Sequence, residues 1–318
     1  MKKLNTAVIG VGNMGKNHAR IYSQISNLVA IADPNRKVGK VIAEEYGAKY
    51  YEDYRQLLDK EEIDAISIVV PTHLHRTIAE YALRRGIPSL LEKPISDSID
   101  DAESILNTMI DTRTPLLIGH IERFNPAVSK AKALIDAGRL GSIVSLLAIR
   151  VGFNPPLSKG SDVTLDLGIH DTDIFNYLLK ECASKVTINT QKIYKNNIAD
   201  VANIMLEYSK AVGLITTNWV TPTKMRKLYI TGTEAFLELD YIQQKIIIFE
   251  KLINKKPIGN FYDFISLSDA PQKEVYISKG EPLLEELKFF LDKTNRQHFG
   301  KITQQAFEAL KILRNHNG

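Results

Sequence analysis

The sequence predicts an α/β chain in two domains. A doubly wound parallel sheet spans residues 1–120, and an α+β domain with a large, mostly antiparallel open sheet spans 121–318. Three observations predict it. Up to about residue 120, short apolar runs alternate with helical patterns, the rhythm of βα units. A glycine-rich turn joins the first apolar run to the first helix. Beyond residue 120, strand-like runs follow one another across short turns, the pattern of antiparallel pairing. At 318 residues the chain is long enough for two cores.

The first strand, 5–9, runs directly into Gly10-Val11-Gly12-Asn13-Met14-Gly15. In G-x-G-x-x-G spacing, the first glycine permits a tight turn. The second lets backbone approach a pyrophosphate, and the third lets the following helix pack close to the strand. The helix, about 15–25, would point free N–H groups at the anion. A second strand, 28–32, ends in Asp33, about where an acid holds a ribose diol. Gly10, Gly12, Asn13, Met14, Gly15 and Asp33 are therefore read as contacts to a dinucleotide on a Rossmann domain. The competing reading is a glycine-rich turn in some other α/β domain. Asp33 would repel a 2′-phosphate, which favours NAD over NADP. Arg36 and Lys37 either offset that charge or form a solvated helical turn.

Helices follow at about 35–46, 53–60, 74–85 and 97–111, and strands at 64–70, 87–91 and 115–119. Ligands bind at the carboxyl ends of such strands. The third strand ends in Pro71-Thr72-His73-Leu74-His75. Pro71 fixes the turn, Thr72 is a helix-cap candidate, His75 is expected to line the pocket and His73 to be exposed. The fourth ends in Glu92-Lys93-Pro94, placing a lysine at the cleft rim before a bond able to be cis.

In the second half, 144–151, 185–194, 202–208, 211–219, 227–231, 236–240 and 245–249 read as strands. One sheet face would pack on a helix at about 166–179. The other, if apolar, needs a partner, so a homodimer or homotetramer is expected. On that helix Asp166, His170, Asp173 and Tyr177 share one face, while Leu167, Ile174 and Leu178 form a core stripe. Gly168 would let cofactor or substrate come close. The basic stretch 253–257 reads as a solvated bend. Helices at about 282–294 and 303–315 either close the second domain or pack back on the first.

Other classes are disfavoured. Net charge is +4, from 41 basic and 37 acidic side chains, without a basic stripe interleaved with aromatics, so no nucleic-acid partner is expected. No apolar run reaches about 18 residues, so no membrane span is expected. The first residues enter a strand at once, leaving no signal peptide. Cys182 is the single cysteine, which excludes an internal disulfide and suits a small core residue. These features favour the cytoplasm. His73 and His75 lack accompanying ligands, so no metal is expected.

These residues resemble the glucose–fructose oxidoreductase / inositol dehydrogenase / rhizopine catabolism (Gfo/Idh/MocA) family. The motifs are the glycine turn, Pro71-Thr-His-Leu-His75, Glu92-Lys93-Pro94 and Asp166-Leu-Gly168-Ile-His170-Asp-Thr-Asp173. Asn218-Trp219 and Lys227–Glu234 look like its open-sheet segment. The resemblance covers nearly the whole chain. It implies an oxidoreductase that uses NAD(P) on a sugar or cyclitol hydroxyl. Gly119-His-Ile-Glu122-Arg123-Phe-Asn-Pro126 looks most like the UDP-N-acetylglucosamine 3-dehydrogenase branch. Related branches act on inositol or keto-deoxysugars, and a non-catalytic NAD(P)-sensing protein is the reading from another class.

Oxidising an alcohol requires a base for the hydroxyl proton. His170 is assigned that role, Asp166 orients it, and Lys93 stabilises charge on the reacting oxygen. Lys93 as base and His170 as positioner is the alternative. Arg123 either holds a diphosphate or the cofactor amide, or pairs with Glu122 or Asp173. Asn218 and Trp219 lie near the site, with Trp219 better suited to the core.

Overall fold

The apolar runs of the first half become six parallel strands in a computed structural model that describes residues 3–153, 162–194, 198–250 and 271–315. They are β1 (Asn5–Ile9), β2 (Asn27–Ala32), β3 (Lys49–Tyr51), β4 (Ala65–Ile68), β5 (Ser89–Glu92) and β6 (Leu116–Gly119). Their order is β3-β2-β1-β4-β5-β6. The winding reverses beside β1, where ligands bind in doubly wound sheets. Strands β4, β5 and β6 are buried along their whole length, as expected when helices cover both sheet faces. The helices are α1 (Gly15–Ile25), α2 (Arg36–Tyr46), α3 (Tyr54–Lys60), α4 (His75–Arg84) and α5 (Ile99–Thr112). Strand β3, three residues long, lies below what sequence periodicity resolves. The Lys93–Pro94 peptide bond is cis.

Contacts divide the chain into two compact units. The first comprises the residues through Ile121 together with Glu281–Asn315. The two C-terminal helices, α8 (Pro282–Leu291) and α9 (Arg296–Arg314), thus pack back on the first sheet's layer. Leu283, Leu287 and Phe290 join the core that holds Val8, Tyr22 and Leu117. Helix α9 lies against β6 and α5. Its Thr303 hydroxyl donates to the Leu116 carbonyl at 2.6 Å, covering a sheet edge.

The second unit includes residues 122–153 and the described residues from Asp162 to Gly280. Its strands are β7 (Ile143–Val151), β8 (Lys185–Gln191), β9 (Val201–Glu207), β10 (Val212–Asn218), β11 (Met225–Gly232), β12 (Ala235–Asp240), β13 (Lys245–Glu250) and β14 (Gln272–Val275). They form one sheet in the order β14-β13-β12-β11-β7-β10-β9-β8. Every pairing is antiparallel except β7 with β10. Helix α6 (Pro126–Asp136) packs on β12 and β13, and α7 (Ile169–Leu179) on β7 and β10. Helix α6 is additional to the sequence expectation, although its start is legible: Asn125 Oδ1 accepts from Ala127 N at 3.1 Å, with proline in the first turn. On the uncovered sheet face Met205, Val212 and Leu214 remain 36–42% exposed. The basic stretch 253–257 lies outside the described residues.

Three expectations about the 166–179 segment need correction. It begins as a π-helical turn, Thr164–Gly168, and becomes α-helical only from Ile169. It is not two-faced, because Asp171, Thr172, Asp173 and Asn176 are buried along with Ile174 and Leu178. Asp171, Thr172 and Asp173 have partners inside the unit, and Asn176 Oδ1 accepts from Tyr208 OH and Ala183 N. Gly168 faces the sheet: a Cβ there would lie 2.7 Å from Ile204 Cδ1. It therefore serves helix–sheet packing and not ligand approach. Cys182 follows the helix in a turn and is half-buried, not in the core. Among the described residues no helix is long and apolar enough to cross a membrane.

Candidate active-site residues

In the first unit a cleft of about 530 Å³ opens at the carboxyl ends of β1, β2, β4 and β5. The turn residues Gly10, Gly12, Asn13 and Met14 line it, with Asp33 and Pro34, Val69–Pro71, Leu74, Glu92 and Lys93. Each glycine has its own reason. Gly10 has φ +86°, and a Cβ there would sit 2.3 Å from the Val69 carbonyl oxygen. A Cβ on Gly15 would sit 1.9 Å from the Gly10 carbonyl oxygen, so this residue contributes packing and does not line the cleft. A Cβ on Gly12 would meet nothing within 4 Å. That open space, beside a helix start lacking a side-chain cap, fits a pyrophosphate.

Asp33 is held rigidly at the end of β2. Its Oδ2 accepts from Val11 N at 2.8 Å and its Oδ1 from Asn35 N at 2.8 Å. Each oxygen keeps a second lone pair for a ribose hydroxyl. Glu92 rests on a buried network. His18 Nε2 lies 3.0 Å from Glu92 Oε1 and His18 Nδ1 lies 3.0 Å from Ser67 Oγ. Tyr22 OH completes it, 2.8 Å from the same Ser67 oxygen. Burial works to raise the Glu92 pKa, but His18 and Lys93 outweigh it and hold the carboxyl below its ordinary value. Sequence reasoning missed His18 and Ser67. Their signals were a histidine on the buried stripe of α1 and a hydroxyl inside an apolar strand.

Two predicted cleft residues fall elsewhere. His75 is 1% exposed and lies behind the loops, its Nδ1 2.9 Å from the Pro94 carbonyl and its Nε2 3.0 Å from the Val70 carbonyl. Burial pushes its pKa down. It braces the loops carrying Val70 and Lys93 and does not line the cleft. Thr72 opens a 3-10 turn, Thr72–Leu74, without making a side-chain cap, because Pro71 occupies the capping position. His73 is exposed, as expected.

In the second unit Asp166 sits in the π turn, where its Oδ2 accepts from Trp219 Nε1 at 3.3 Å. His170 follows in the first turn of α7 and is half-buried. The predicted shared face does not persist beyond it. Asp173 is taken by Arg123, whose Nε and Nη2 donate to its two oxygens at 2.7 and 2.6 Å. The two side chains are 5% and 1% exposed. A guanidinium buried in such a fork supports the ion-pair alternative for Arg123. Tyr177 lies beside that guanidinium, 5.2 Å from carbon to ring centre. Asn218 shapes a turn, accepting from Val220 N and Thr221 N at 3.0 and 2.8 Å. Trp219 is 2% exposed, a core residue with one polar contact.

A second buried network lies on the sheet. Arg150 donates to Asp171 at 2.6 and 3.1 Å and to Glu122 at 2.8 Å, and Tyr241 OH donates to Asp171 at 3.1 Å. Beside it is a pocket of about 360 Å³, lined by Arg150, Phe153, Leu167, Trp219, Lys224 and Arg226 among others. None of its three cations stands out in the sequence reading. Arg150 carried a signal: it shares the inward register of Leu146 and Ala148 on β7, where an apolar residue is the rule.

Residues 4–120 match the family model described as an oxidoreductase family with an NAD-binding Rossmann fold, and residues 128–238 match the GFO/IDH/MocA C-terminal domain. The chain is 28% identical over 294 residues to a UDP-N-acetylglucosamine 3-dehydrogenase of Acidithiobacillus ferrooxidans, covering 92% of this chain and 89% of that protein. It is 31% identical over 185 residues to the scyllo-inositol 2-dehydrogenase (NAD(+)) of Bacillus subtilis, covering 56% and 54%. The crystal structure of the Acidithiobacillus enzyme superposes with a TM-score of 0.85 at 26% identity, covering 99% of this chain and 97% of that one. An NAD-binding Rossmann domain followed by this C-terminal domain makes the chain a member of the Gfo/Idh/MocA family of sugar and polyol oxidoreductases.

Proposed function

We propose that the chain oxidises the C3 hydroxyl of UDP-N-acetylglucosamine, with Lys93, Asp166 and His170 as the catalytic set. The observation that carries the reading is the cleft that joins Gly12, Asp33 and Lys93. It brings together backbone open to an anion, a carboxylate fitted to a diol and an amine able to meet an oxyanion. Bound NAD supplies the hydride acceptor. Gly10, Gly12, Asn13 and Met14 would hold its pyrophosphate, and Asp33 its ribose, in preference to a phosphorylated ribose.

His170 accepts the hydroxyl proton as the C–H bond breaks, and later passes it to solvent. Asp166 orients the ring and favours its protonated form, with Trp219 fixing the carboxylate. Lys93 donates a hydrogen bond to the reacting oxygen as negative charge grows there. The likeness to the Acidithiobacillus enzyme over 92% of this chain supports the nucleotide-sugar substrate. The exposed apolar side chains on the uncovered sheet face support a homodimer or homotetramer.

The test is NADH formation with UDP-N-acetylglucosamine, UDP-glucose and myo-inositol in parallel, with an aminotransferase coupled to remove a 3-keto product. Turnover of the nucleotide sugar is expected. Turnover of inositol alone would keep the dehydrogenase and discard the substrate. NAD binding by calorimetry without turnover of any sugar would favour the sensing reading.

A further inference from the structure

Three arginines of the second unit keep unequal company. Arg123 and Arg150, with side chains 5% and 2% exposed, each hold a carboxylate in a two-pronged grip. Arg226 has no such partner. Its only ion-pair contact within 4 Å among the described residues is Glu122 Oε1 at 3.7 Å, and Arg150 already occupies that oxygen at 2.8 Å. Yet the Arg226 side chain is only 34% exposed. A guanidinium one-third exposed, at the rim of a pocket and without a carboxylate held in a two-pronged grip, can take its acceptor from a ligand.

The surroundings say what kind of ligand. Lys224 lies two residues earlier, just before β11, and both cations line the 360 Å³ pocket. Phe153, 63% exposed, lines it too, as does Trp219, which is hydrogen-bonded to Asp166. One cation would serve a carboxylate. Two cations, a planar fork and an exposed aromatic face suit phosphoryl oxygens joined to a flat ring.

We propose that this pocket is the subsite for the anionic part of the substrate, a nucleoside diphosphate, gripped by Arg226 and Lys224 with Phe153 against the base or sugar. The proposal rests on the nucleotide-sugar reading above and adds the residues that enforce it. Sugar specificity in this chain then comes from charge beside Asp166, on the second unit's sheet.

The test uses the full-length protein with NAD present. UDP is titrated by calorimetry, and UDP-N-acetylglucosamine by initial rates, against the parent, Arg226→Gln, Arg226→Lys and Lys224→Glu. Lys185→Gln, exposed on β8, is the remote charge-loss control. Kd for UDP and KM for the nucleotide sugar are expected to rise about tenfold or more in Arg226→Gln and Lys224→Glu. Arg226→Lys should recover part of the loss, and Lys185→Gln should match the parent. Lys224 is exposed, so its variant keeps the test valid if Arg226→Gln folds poorly. Equal UDP affinity in the parent and both charge variants overturns the proposal. Failure of the nucleotide-sugar reading looks different: the parent then binds no UDP, and glucose 6-phosphate and glucuronate become the probes. Loss of either anion on Arg226→Gln keeps the anion subsite. Absence of any anion binding by the parent removes both.

Discussion

Gly12 and Gly15 belong to one motif yet do different work, and substitution separates them. A methyl at Gly12 enters open space. Gly12→Ala is therefore expected to change stability by less than about 0.5 kcal/mol while raising KM for NAD. A methyl at Gly15 collides with the Gly10 carbonyl. Gly15→Ala should cost about 1–3 kcal/mol or more, read from denaturant midpoints of both variants. Arg123 shows where a residue's partner is invisible in sequence. Its carboxylate is 50 positions away, and nothing local separates a phosphate-binding arginine from a buried ion pair. Arg123→Met removes the two-pronged partner of the buried Asp173 carboxylate, with an expected loss of about 3–5 kcal/mol. If Arg123 gripped the cofactor instead, the same variant would weaken NAD binding in calorimetry at a temperature where it remains folded. For the reacting groups, Lys93→Ala and His170→Ala are expected to lower kcat by about 10²–10⁴. Parent-like turnover in either folded variant would remove it from the catalytic set.

At the level of elements, regularly periodic segments were legible. Strands β1, β2, β4, β5 and β6 and helices α1–α5 follow apolar periods that burial on one sheet enforces. Strand β3 is too short for a period, and the π turn before α7 has no signature in residue type. That turn matters because it breaks the 3.6-residue phase between Asp166 and Asp173, so an α-helical wheel drawn through it misassigns the far residues. π turns recur at functional sites, and here one carries Asp166. Gly168, at its end, reads from sequence as a place of ligand approach, yet it faces Ile204. Gly168→Ala meets only the tip of that flexible side chain and gains helix propensity of about 1 kcal/mol. Its stability should stay within about 1 kcal/mol of the parent, and its NAD affinity should be unchanged. A tenfold weaker Kd for NAD would return Gly168 to the ligand.

For the molecule as a whole, the parallel and antiparallel sheets were legible and the ionic interior was not. Arg150 meets Asp171 and Glu122 across 21 and 28 positions, so only folding assembles the network. Its pH consequences have a definite sign. Burial works against the Glu122 charge, but Arg150 and Arg226 dominate and hold its pKa below the ordinary 4.5. That stabilisation is complete above 4.5 and fades as pH falls through the folded-state value. Burial lowers the His75 pKa from its ordinary 6.5. The unfolded chain then takes up that proton first, and stability begins to fall below 6.5. The thermal midpoint should therefore decline in two stages on acidification, and His75→Gln should remove the upper one. A midpoint flat between pH 7 and 5 would contradict this assignment.

The central claim is that hydride leaves C3 of a nucleotide sugar, and isotope transfer tests it most directly. UDP-N-acetylglucosamine deuterated at C3 is incubated with the protein and NAD, and the reduced cofactor is weighed by mass spectrometry. One deuterium per reduced nicotinamide, together with slower turnover than for the protium substrate, is the expected result. Reduced cofactor without deuterium, or none formed while myo-inositol reduces NAD readily, would contradict the account.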